Sequence, residues 1–243
     1  MIYNYNTQPF IVINGISSRT IKGLIISKLP PISKPAIRTK TETVDGRDGD
    51  IVTALGYSAY NKTLEIGLSY EYDIDDIIAF FDSMGKVTFS NEPEKYYNYA
   101  IYAQIDYEKL LRFKTATVTF HVQPFKFSDL EGVKVFSDLS LQTVNINNNG
   151  NIFSRPKITI TGKGTVTLSI NGTQYLSIAL PNSDTSIAID AYGFNAYNPL
   201  TGAFLNRLVT GNYDNIRLKP GRNTLRITGA VTEVKIENYS RWI

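Results

Sequence analysis

Few side chains in the sequence have the type and spacing that catalysis requires. The single histidine, His121, alternates with threonines, and a lone strand histidine is more often a surface or inter-strand residue than a base or metal ligand. The chain has no cysteine, which excludes thiolate metal sites, cysteine nucleophiles and disulfides. The motifs GxSxG, GxGxxG and the phosphate-binding P-loop do not occur. These residues predict no metal site and no cofactor.

Two closely spaced carboxylate pairs are the remaining candidates for acid–base chemistry of the glycosidase kind. They are Asp48 with Asp50 and Glu92 with Glu94. Both pairs fall in predicted turns without the apolar surroundings that raise the pKa of an acid. We therefore predict that the protein is not an enzyme and has no catalytic residue, and we keep an enzyme acting on the cell wall as a third hypothesis.

The composition indicates a globular chain built mainly from strands. Of 243 residues, 16 are Tyr and 12 are Phe, a bias towards residues that favour sheets. The formal charge of +3 comes without a basic run, which argues against nucleic-acid binding. No apolar stretch reaches the roughly 20 residues that cross a bilayer. Residues 1–10 do not resemble a signal peptide, so we expect a soluble chain that begins at residue 1 and does not insert into membranes.

The segment 38–55 predicts a hairpin that extends from the first half of the chain. Its strands are Arg38–Val44 and Ile51–Leu55, and Gly46 and Gly49 lie in the turn between them. Thr39–Val44 has no apolar face, and an isolated hairpin is marginally stable in water. The segment is therefore either a flexible loop or an arm that becomes ordered by contact with another chain.

The rest of the first half predicts short strands and one helix. A first hairpin joins Phe10–Ile13 to Ile21–Ile26 through Asn14-Gly15, and further strands are expected at Lys62–Tyr70, Lys86–Ser90, Ala100–Tyr107 and Phe113–Val122. The helix spans Asp73–Met84, with Asp73 as its N-cap and Gly85 ending it. Its core-facing stripe is Ile74, Ile77, Ile78 and Phe81.

Breaker signals between Phe127 and Asn151, including the asparagine-rich Leu141–Asn151, predict a domain boundary. We assign residues 1–130 to the first domain and 131–243 to the second. Strands are expected around Ile158–Ile160, Val166–Ile170, Thr173–Leu180, Ser186–Asp190, Asn223–Thr228 and Val231–Asn238, with turns at Asn171-Gly172 and Lys219–Arg222. The predicted fold is mainly β, with two β-sandwich domains of which the first carries one α-helix and the hairpin.

Aromatic residues are concentrated in a long predicted loop, 191–211. They are Tyr192, Phe194, Tyr197 and Phe204. In one interpretation they cap the core of the second sandwich. In the other, Tyr192, Phe194 and Tyr197 contact a saccharide or a protein partner, so that the second domain is a carbohydrate-binding module for the host cell surface.

Four stretches in a fixed order give the chain a resemblance to the distal tail (Dit) proteins of siphophages and related prophages. They are Val44–Gly49 in the hairpin, Gly85–Tyr99 after the helix, Ala116–Phe125, and Gly211–Asn223 together with the terminal Arg241-Trp242-Ile243. The resemblance covers nearly the whole chain. It departs from the family at Tyr213-Asp214-Asn215, where the family has a proline-containing step.

The resemblance implies a structural role in the virion. It implies a hexameric ring of this chain in the baseplate hub, between the tail tube protein and the tail-tip or tail-associated lysin protein. It also implies a tail-tube-like first domain, a galectin-like second domain that carries receptor-binding proteins in some phages, and synthesis in the bacterial host cytoplasm. The hairpin would then pack on the neighbouring subunit through Arg38, Thr39, Lys40, Thr41, Glu42, Thr43, Val44, Arg47 and Asp48.

Overall fold

The computed structural model describes residues 8–137 and 143–243, and the chain forms two compact units. The first unit runs to Lys126 and the second from Phe127 to Trp242. The expectation about a signal peptide lies outside the described residues, as do Leu141 and Gln142 of the asparagine-rich segment. Each unit has its own hydrophobic core.

In the described residues of the first unit there are nine strands and two α-helices. They are β1 (Ile11–Ile13), β2 (Ile16–Ser17), β3 (Leu24–Lys28), β4 (Ile37–Thr43), β5 (Asp50–Tyr57), β6 (Tyr60–Leu68), α1 (Ile74–Phe81), β7 (Met84–Phe89), β8 (Tyr96–Ala100), α2 (Tyr107–Phe113) and β9 (Thr115–Phe127). Seven strands form one sheet in the order β2-β1-β7-β8-β9-β6-β3, whereas β4 and β5 form a separate two-stranded sheet. The prediction of a mainly β fold is confirmed.

The long strand β9 supplies the centre of the first core. Its alternating residues Ala116, Val118, Phe120 and Val122 are buried, as the period of two in the sequence predicts. The ring of Phe120 makes edge-to-face contacts with Phe89 at 5.6 Å and Tyr99 at 5.2 Å. These contacts join three neighbouring strands of the sheet through their side chains.

Helix α1 begins where the sequence predicts and ends earlier. The Asp73 side chain caps it by accepting hydrogen bonds from two backbone N–H groups of the first turn. The predicted end at Met84 is wrong, because the helix stops at Phe81 and Met84 begins β7. In this shorter helix Phe80 is buried and Ile78 is exposed, so the predicted apolar stripe is only partly correct.

The structure has a second helix where only a connector between strands is predicted. The expected strand Ala100–Tyr107 is wrong, because β8 ends at Ala100 and α2 follows. Asp106 caps α2 by accepting a hydrogen bond from the Lys109 backbone N–H, and Leu110 is fully buried. Lys114 ends the helix in the left-handed conformation, at φ 57°. A helix of seven residues is too short to show a clear apolar period.

The first hairpin has the predicted turn but a different second strand. Asn14 and Gly15 both have positive φ, as a tight hairpin turn requires. The strand that follows is β2, directly after the turn, and not the predicted Ile21–Ile26. That segment instead supplies part of β3, which pairs with β6 on the opposite edge of the sheet.

The second unit is a β-sandwich, in which the structure describes eight strands. They are β10 (Lys134–Phe136), β11 (Thr143–Asn148), β12 (Lys157–Ile170), β13 (Thr173–Ala179), β14 (Thr185–Asp190), β15 (Asn195–Tyr197), β16 (Val209–Gly211) and β17 (Gly221–Glu237). The Asn171-Gly172 hairpin between β12 and β13 is confirmed. The predicted long loop 191–211 is only partly correct, because it contains β15 and β16.

Two long strands, β12 and β17, bend and contribute to both halves of this sandwich. The first half of β12 pairs with β14 and the second half pairs with β13. A Cβ at Gly229 would lie 2.5 Å from the Thr165 carbonyl oxygen, and one at Gly162 would lie 2.4 Å from that of Ala230. Only glycine permits so close an approach of the two backbones.

The sequence predicts two strands where the structure has the single strand β17. Asn223–Thr228 and Val231–Asn238 belong to one strand that runs to Glu237 and bends at Gly229. The predicted turn between them, Lys219–Arg222, precedes and enters this strand. A glycine in a strand is typical of a bend as well as of a chain break, and local sequence does not distinguish the two.

No helix in the described part of the chain is long and apolar enough to cross a membrane.

Candidate functional site

The single histidine, His121, contacts an asparagine on the paired strand and a tyrosine ring. His121 Nδ1 lies 3.0 Å from Asn61 Oδ1 on the paired strand β6, and the imidazole packs at 5.3 Å from the ring of Tyr102. Within residues 8–137 and 143–243, no group of three or more His, Asp or Glu side chains could hold a metal ion. The interpretation of His121 as an inter-strand residue is confirmed.

The two candidate carboxylate pairs lie in different environments. Asp48 and Asp50 are exposed near the tip of the hairpin. Glu92 is almost buried, and its carboxylate accepts hydrogen bonds from Lys126 Nζ at 2.8 Å and from the Tyr97 hydroxyl at 2.6 Å. Glu92 is therefore far less exposed than Asp48 and Asp50, and its carboxylate has polar partners. Its partners are those of a structural ion pair.

The predicted hairpin is present, and we call β4, β5 and their turn the arm. Among the described residues, β4 and β5 pair with each other and with no other strand. Both outer edges of this sheet are therefore open to pairing with another strand. All nine predicted interface residues are exposed: Arg38, Thr39, Lys40, Thr41, Glu42, Thr43, Val44, Arg47 and Asp48.

The register of the arm separates its side chains into two faces. Directly paired residues lie on the same face, and faces alternate along a strand. One face, the threonine face, consists of Thr39, Thr41, Thr43, Asp50, Val52 and Ala54. The opposite charged face consists of Lys40, Glu42, Ile51 and Thr53, and here the Lys40 ammonium pairs with the Glu42 carboxylate. Asp50, at the tip, is the only charged residue of the threonine face.

The return strand β5 makes the arm more apolar than the outgoing strand suggests. Val52 is 61% exposed and Leu55 is 57% exposed, and Ile51 is also exposed. The absence of an apolar face applies to Thr39–Val44 alone. Exposed apolar side chains beside open strand edges are typical of a surface that another chain covers.

Side chains of the first core hold the segment that leads into the arm. Pro30 and Pro31 follow β3, and we call the irregular segment 29–36 between β3 and β4 the stem. Proline has no N–H to donate to a neighbouring strand, which favours an irregular backbone here. Three side-chain donors bind its carbonyl oxygens: Lys62 Nζ to Pro31 at 2.8 Å, Asn91 Nδ2 to Pro30 at 3.0 Å, and the Tyr60 hydroxyl to Ser33 at 3.4 Å. At the arm's base the Ser58 N–H donates to the Ala36 carbonyl at 2.8 Å.

Lys62 is a buried lysine surrounded by aromatic rings. Its ammonium lies 4.9 Å from the centre of the Tyr97 ring and 5.6 Å from that of Phe89, within the range of cation–π attraction. Burial lowers the pKa of Lys62 to about 8, because the charged form loses hydration; Glu92 opposes this shift and Lys126 adds to it. Lys62, Glu92, Tyr97 and Lys126 form what we call the buried polar cluster.

Sequence reasoning missed this cluster, although one signal for Lys62 was present. In β6 the buried side chains are Leu64, Ile66 and Leu68, and Lys62 has the same parity. A lysine at a core-facing position of a strand predicts a buried, hydrogen-bonded ammonium. The predicted continuation of the same face to Tyr70 is wrong, because β6 ends at Leu68 and Tyr70 is fully exposed.

The structure separates the three aromatic residues expected to contact a saccharide or partner. Tyr192 and Phe194 are exposed in the bend after β14, where the Arg155 guanidinium lies 4.7 Å from the centre of the Phe194 ring. Tyr197 lies in β15, directly across from Ala188 of β14. The interpretation that these loop aromatics cap the core is wrong for Tyr192 and Phe194, and also for the exposed Phe204.

Comparisons with known proteins identify the fold. No protein-family model matches the chain, and no curated protein matches it significantly. Its fold is similar to that of the Dit protein of phage SPP1, which is described as a paradigm of the hub adsorption apparatus in phages that infect Gram-positive bacteria. The TM-score is 0.66 at 17% identity, over 96% of this chain and 100% of that one.

A second solved structure with a similar fold is the baseplate of phage P2 in its activated conformation with calcium. The TM-score is 0.51 at 10% identity, and the match covers 95% of this chain and 97% of that one. The resemblance to Dit proteins noted in the sequence therefore extends to the fold over nearly all of the chain's length.

Proposed function

We propose that this chain is a structural phage distal tail protein that forms a ring in the baseplate hub. The observation that carries the proposal is the arm, a two-stranded sheet with two open edges that extends from a chain with a Dit-like fold. An arm of this kind gains stability when it covers, or pairs with, another chain. The proposed role requires binding surfaces and no catalysis.

We infer that the chain to which the arm binds is a second copy of this chain. In a closed ring of identical subunits, one surface patch of each subunit binds a different patch on the next subunit. Each arm therefore binds one adjacent subunit. The threonine face is the side that fits a buried contact, because Thr39, Thr41, Val52 and Ala54 carry no charge to desolvate. The Lys40–Glu42 pair on the charged face stays in solvent at the rim.

The buried polar cluster and the proline stem give the arm a fixed origin. Hydrogen bonds to the carbonyl groups of Pro30 and Pro31 restrain the outgoing chain. The returning chain is restrained as well, because β5 leads within a few residues into β6 of the main sheet. A restrained origin lowers the conformational entropy lost when the arm binds.

Within the virion, we place the ring at the tail tip, made in the host cytoplasm, as a hexamer. Its partners are the tail tube protein on one side and a tail-tip or tail-associated lysin protein on the other. This assignment rests on the resemblance to Dit proteins in motif order and fold. Receptor-binding proteins are further candidates for attachment to the second unit.

Deletion of the arm tests the proposal. Residues 39–50 are replaced by a short glycine bridge, and the mass of the assembly is measured by light scattering and native mass spectrometry, with and without the tube protein. We expect rings from the full chain and monomers from the deletion variant. Thermal unfolding of the variant should stay near that of the parent, because no residue of the deleted segment is buried.

A control variant replaces the exposed residues 182–184, which follow β13 in the second unit, with glycines. This change also removes exposed side chains, and it should leave the ring intact. Normal rings from the arm deletion would show that the arm is a surface loop and that the interface lies elsewhere.

A further inference from the structure

The second unit has a groove that the proposed ring function does not use. It has a volume of about 320 Å³ and lies on one outer face of the sandwich, across β15, β14, β12 and β17. Its floor consists of Thr159, Thr161, Ser186 and Ala188. We call it the outer groove.

The register of the four strands explains why this face is concave. One row of paired residues crosses all four strands: Tyr197 opposite Ala188, Ala188 opposite Thr159, and Thr159 opposite Lys235. Paired residues lie on the same face, so in this row small side chains occupy the two central strands and large side chains the two flanking strands. The result is a trough between a wall on β15 and a wall on β17.

The two walls differ in chemistry. Tyr197, Pro199 and Leu200 form an apolar wall, and the Leu200 side chain is 91% exposed. Glu233 and Lys235 of β17 form the opposite, polar wall. On the floor between them, the Thr161 and Ser186 hydroxyl groups lie 2.8 Å apart and supply both donors and acceptors.

The charges that line the groove neutralise one another. Lys157 Nζ lies 2.6 Å from Glu237 Oε1, and Lys235 Nζ lies 3.0 Å from Glu233 Oε1. Two ammonium groups and two carboxylates leave no net charge in the lining, so the groove does not favour a charged polymer. Paired charged groups still donate to and accept from neutral hydroxyl groups.

We propose that the outer groove binds a neutral saccharide, with Tyr197 and Leu200 against the apolar face of one sugar ring. A pyranose ring has an apolar face formed by its C–H groups and hydroxyl groups around its rim. The apolar wall matches the first, and the hydroxyl groups of Thr159, Thr161 and Ser186 with the β17 side chains match the second. A ligand site that combines apolar contact with a few convergent polar groups is typical of small-molecule recognition.

This inference changes the saccharide hypothesis drawn from the sequence. Only Tyr197 of the three aromatic residues lines the groove, whereas Tyr192 and Phe194 do not. The groove lies wholly within the second unit, so saccharide binding does not depend on the arm. Failure of ring formation and failure of saccharide binding are therefore separate results.

Calorimetric titration of the full chain tests the proposal. The probes are maltotetraose, cellotetraose, chitotetraose and a galactose tetrasaccharide, together with poly(glycerol phosphate) as an anionic polymer. We expect at least one neutral tetrasaccharide to bind with Kd of about 1 mM or below. Tyr197→Ala should weaken that binding by about tenfold, as expected for loss of a stacked aromatic ring. Tyr192→Ala, an exposed aromatic outside the groove, is the matched control and should retain parental affinity.

A second groove variant separates loss of binding from loss of fold. Leu200→Ala alters a side chain that is almost fully exposed, so folding is unaffected while the affinity should fall by about threefold. No heat from any neutral tetrasaccharide at about 10 mM would overturn the proposal. Saccharide binding that is unchanged in Tyr197→Ala would also overturn it, as would binding of poly(glycerol phosphate) and of no neutral tetrasaccharide. A further contradicting result is a chain that binds no saccharide but binds a tail protein in a manner that depends on Tyr197.

Discussion

The Lys62 ammonium donates a 2.8 Å hydrogen bond to the carbonyl oxygen of Pro31, which joins the first core to the stem of the arm. Lys62 is buried at the start of β6, and Pro31 lies outside any strand. A buried charge has a high cost in free energy unless it is hydrogen-bonded, and the carbonyl group of Pro31 in the stem has no partner on a neighbouring strand. Each group therefore satisfies the other, and the contact restrains the direction in which the arm leaves the unit.

Replacing Lys62 with Met should increase the range of positions that the arm adopts and should have a smaller effect on the stability of the first unit. The substitution removes the bond to Pro31 but also removes the cost of a buried charge, so the two effects on stability oppose each other. The parent chain has no cysteine, so spin labels at Asp48→Cys and Thr63→Cys report one distance within the first unit. We expect a broader distance distribution in Lys62→Met.

Lys28→Met is the matched control, because Lys28 pairs with Glu65 at the surface with 70% of its side chain exposed. It should leave the distance distribution unchanged. An equally narrow distribution in Lys62→Met would show that the stem is held by other contacts.

The stability of the parent relative to Lys62→Met should rise between pH 8 and 10.5. Burial places the pKa of Lys62 near 8 in the folded chain, below its ordinary value of 10.5. In that window the unfolded chain binds a proton at this site that the folded chain does not, so the free energy of unfolding increases with pH. Urea unfolding of both proteins at several pH values measures the difference. A difference that stays flat or falls with pH contradicts this assignment.

Glu92→Gln should destabilise the first unit strongly. Its carboxylate accepts from Lys126 and Tyr97, and its removal leaves the buried ammonium groups of Lys62 and Lys126 without a counter-charge. Breaking a buried ion pair at one partner costs about 3–5 kcal/mol. Glu94→Gln, at an exposed position of the same turn, is the control and should change the unfolding free energy by less than about 0.5 kcal/mol. Similar urea midpoints for the two variants would contradict this role of Glu92.

The two faces of the arm should respond differently to an added charge. Val52→Lys places an ammonium on the threonine face and should prevent ring formation, since a buried unpaired charge costs several kcal/mol. Thr53→Lys places the same charge one residue away on the charged face and should be tolerated. Both variants should remain folded because both positions are exposed. Loss of rings in Thr53→Lys alone would assign the interface to the opposite face.

Gly229→Ala should destabilise the second unit by more than the cost of its backbone conformation. Gly229 has φ +116°, and an added Cβ would meet the Thr165 carbonyl oxygen at 2.5 Å. Gly164→Ala, at φ +68° in open space, measures the conformational cost alone, about 1 kcal/mol. Gly132→Ala, in open space without positive φ, should be neutral. Equal unfolding free energies for Gly229→Ala and Gly164→Ala would contradict this, because they would show that β12 and β17 move apart at Gly229 without a cost in free energy.

Local signals in the sequence were sufficient for several elements. Asn171-Gly172 and Asn14-Gly15 mark turns because Asn and Gly tolerate positive φ, whatever surrounds them. Asp73 marks the start of α1 because its side chain bonds to backbone groups two and three residues away. The arm was recognisable for the same reason, since its strands and turn are adjacent in the chain.

Other elements depended on residues far away in the sequence. The predicted strand partner of β1 was wrong. The short segments 16–17 and 21–26 both suit a strand paired with β1, and only the assembled sheet distinguishes them. The outer groove was missed because one wall comes from β15 and the residues after it, and the other from β17. The register of two intervening strands brings β15 and β17 to opposite sides of the groove. Local propensity does not specify such registers.

The sequence by itself determined the strand-rich class, the main turns and the hairpin of the arm. Those features depend on neighbouring residues and on backbone conformation. Only the tertiary structure decided that Lys62 and Glu92 belong to a buried polar cluster and that Tyr197 lines a groove while Tyr192 does not. The physical reason is that burial and electrostatic environment arise from side chains that long-range strand pairing brings together.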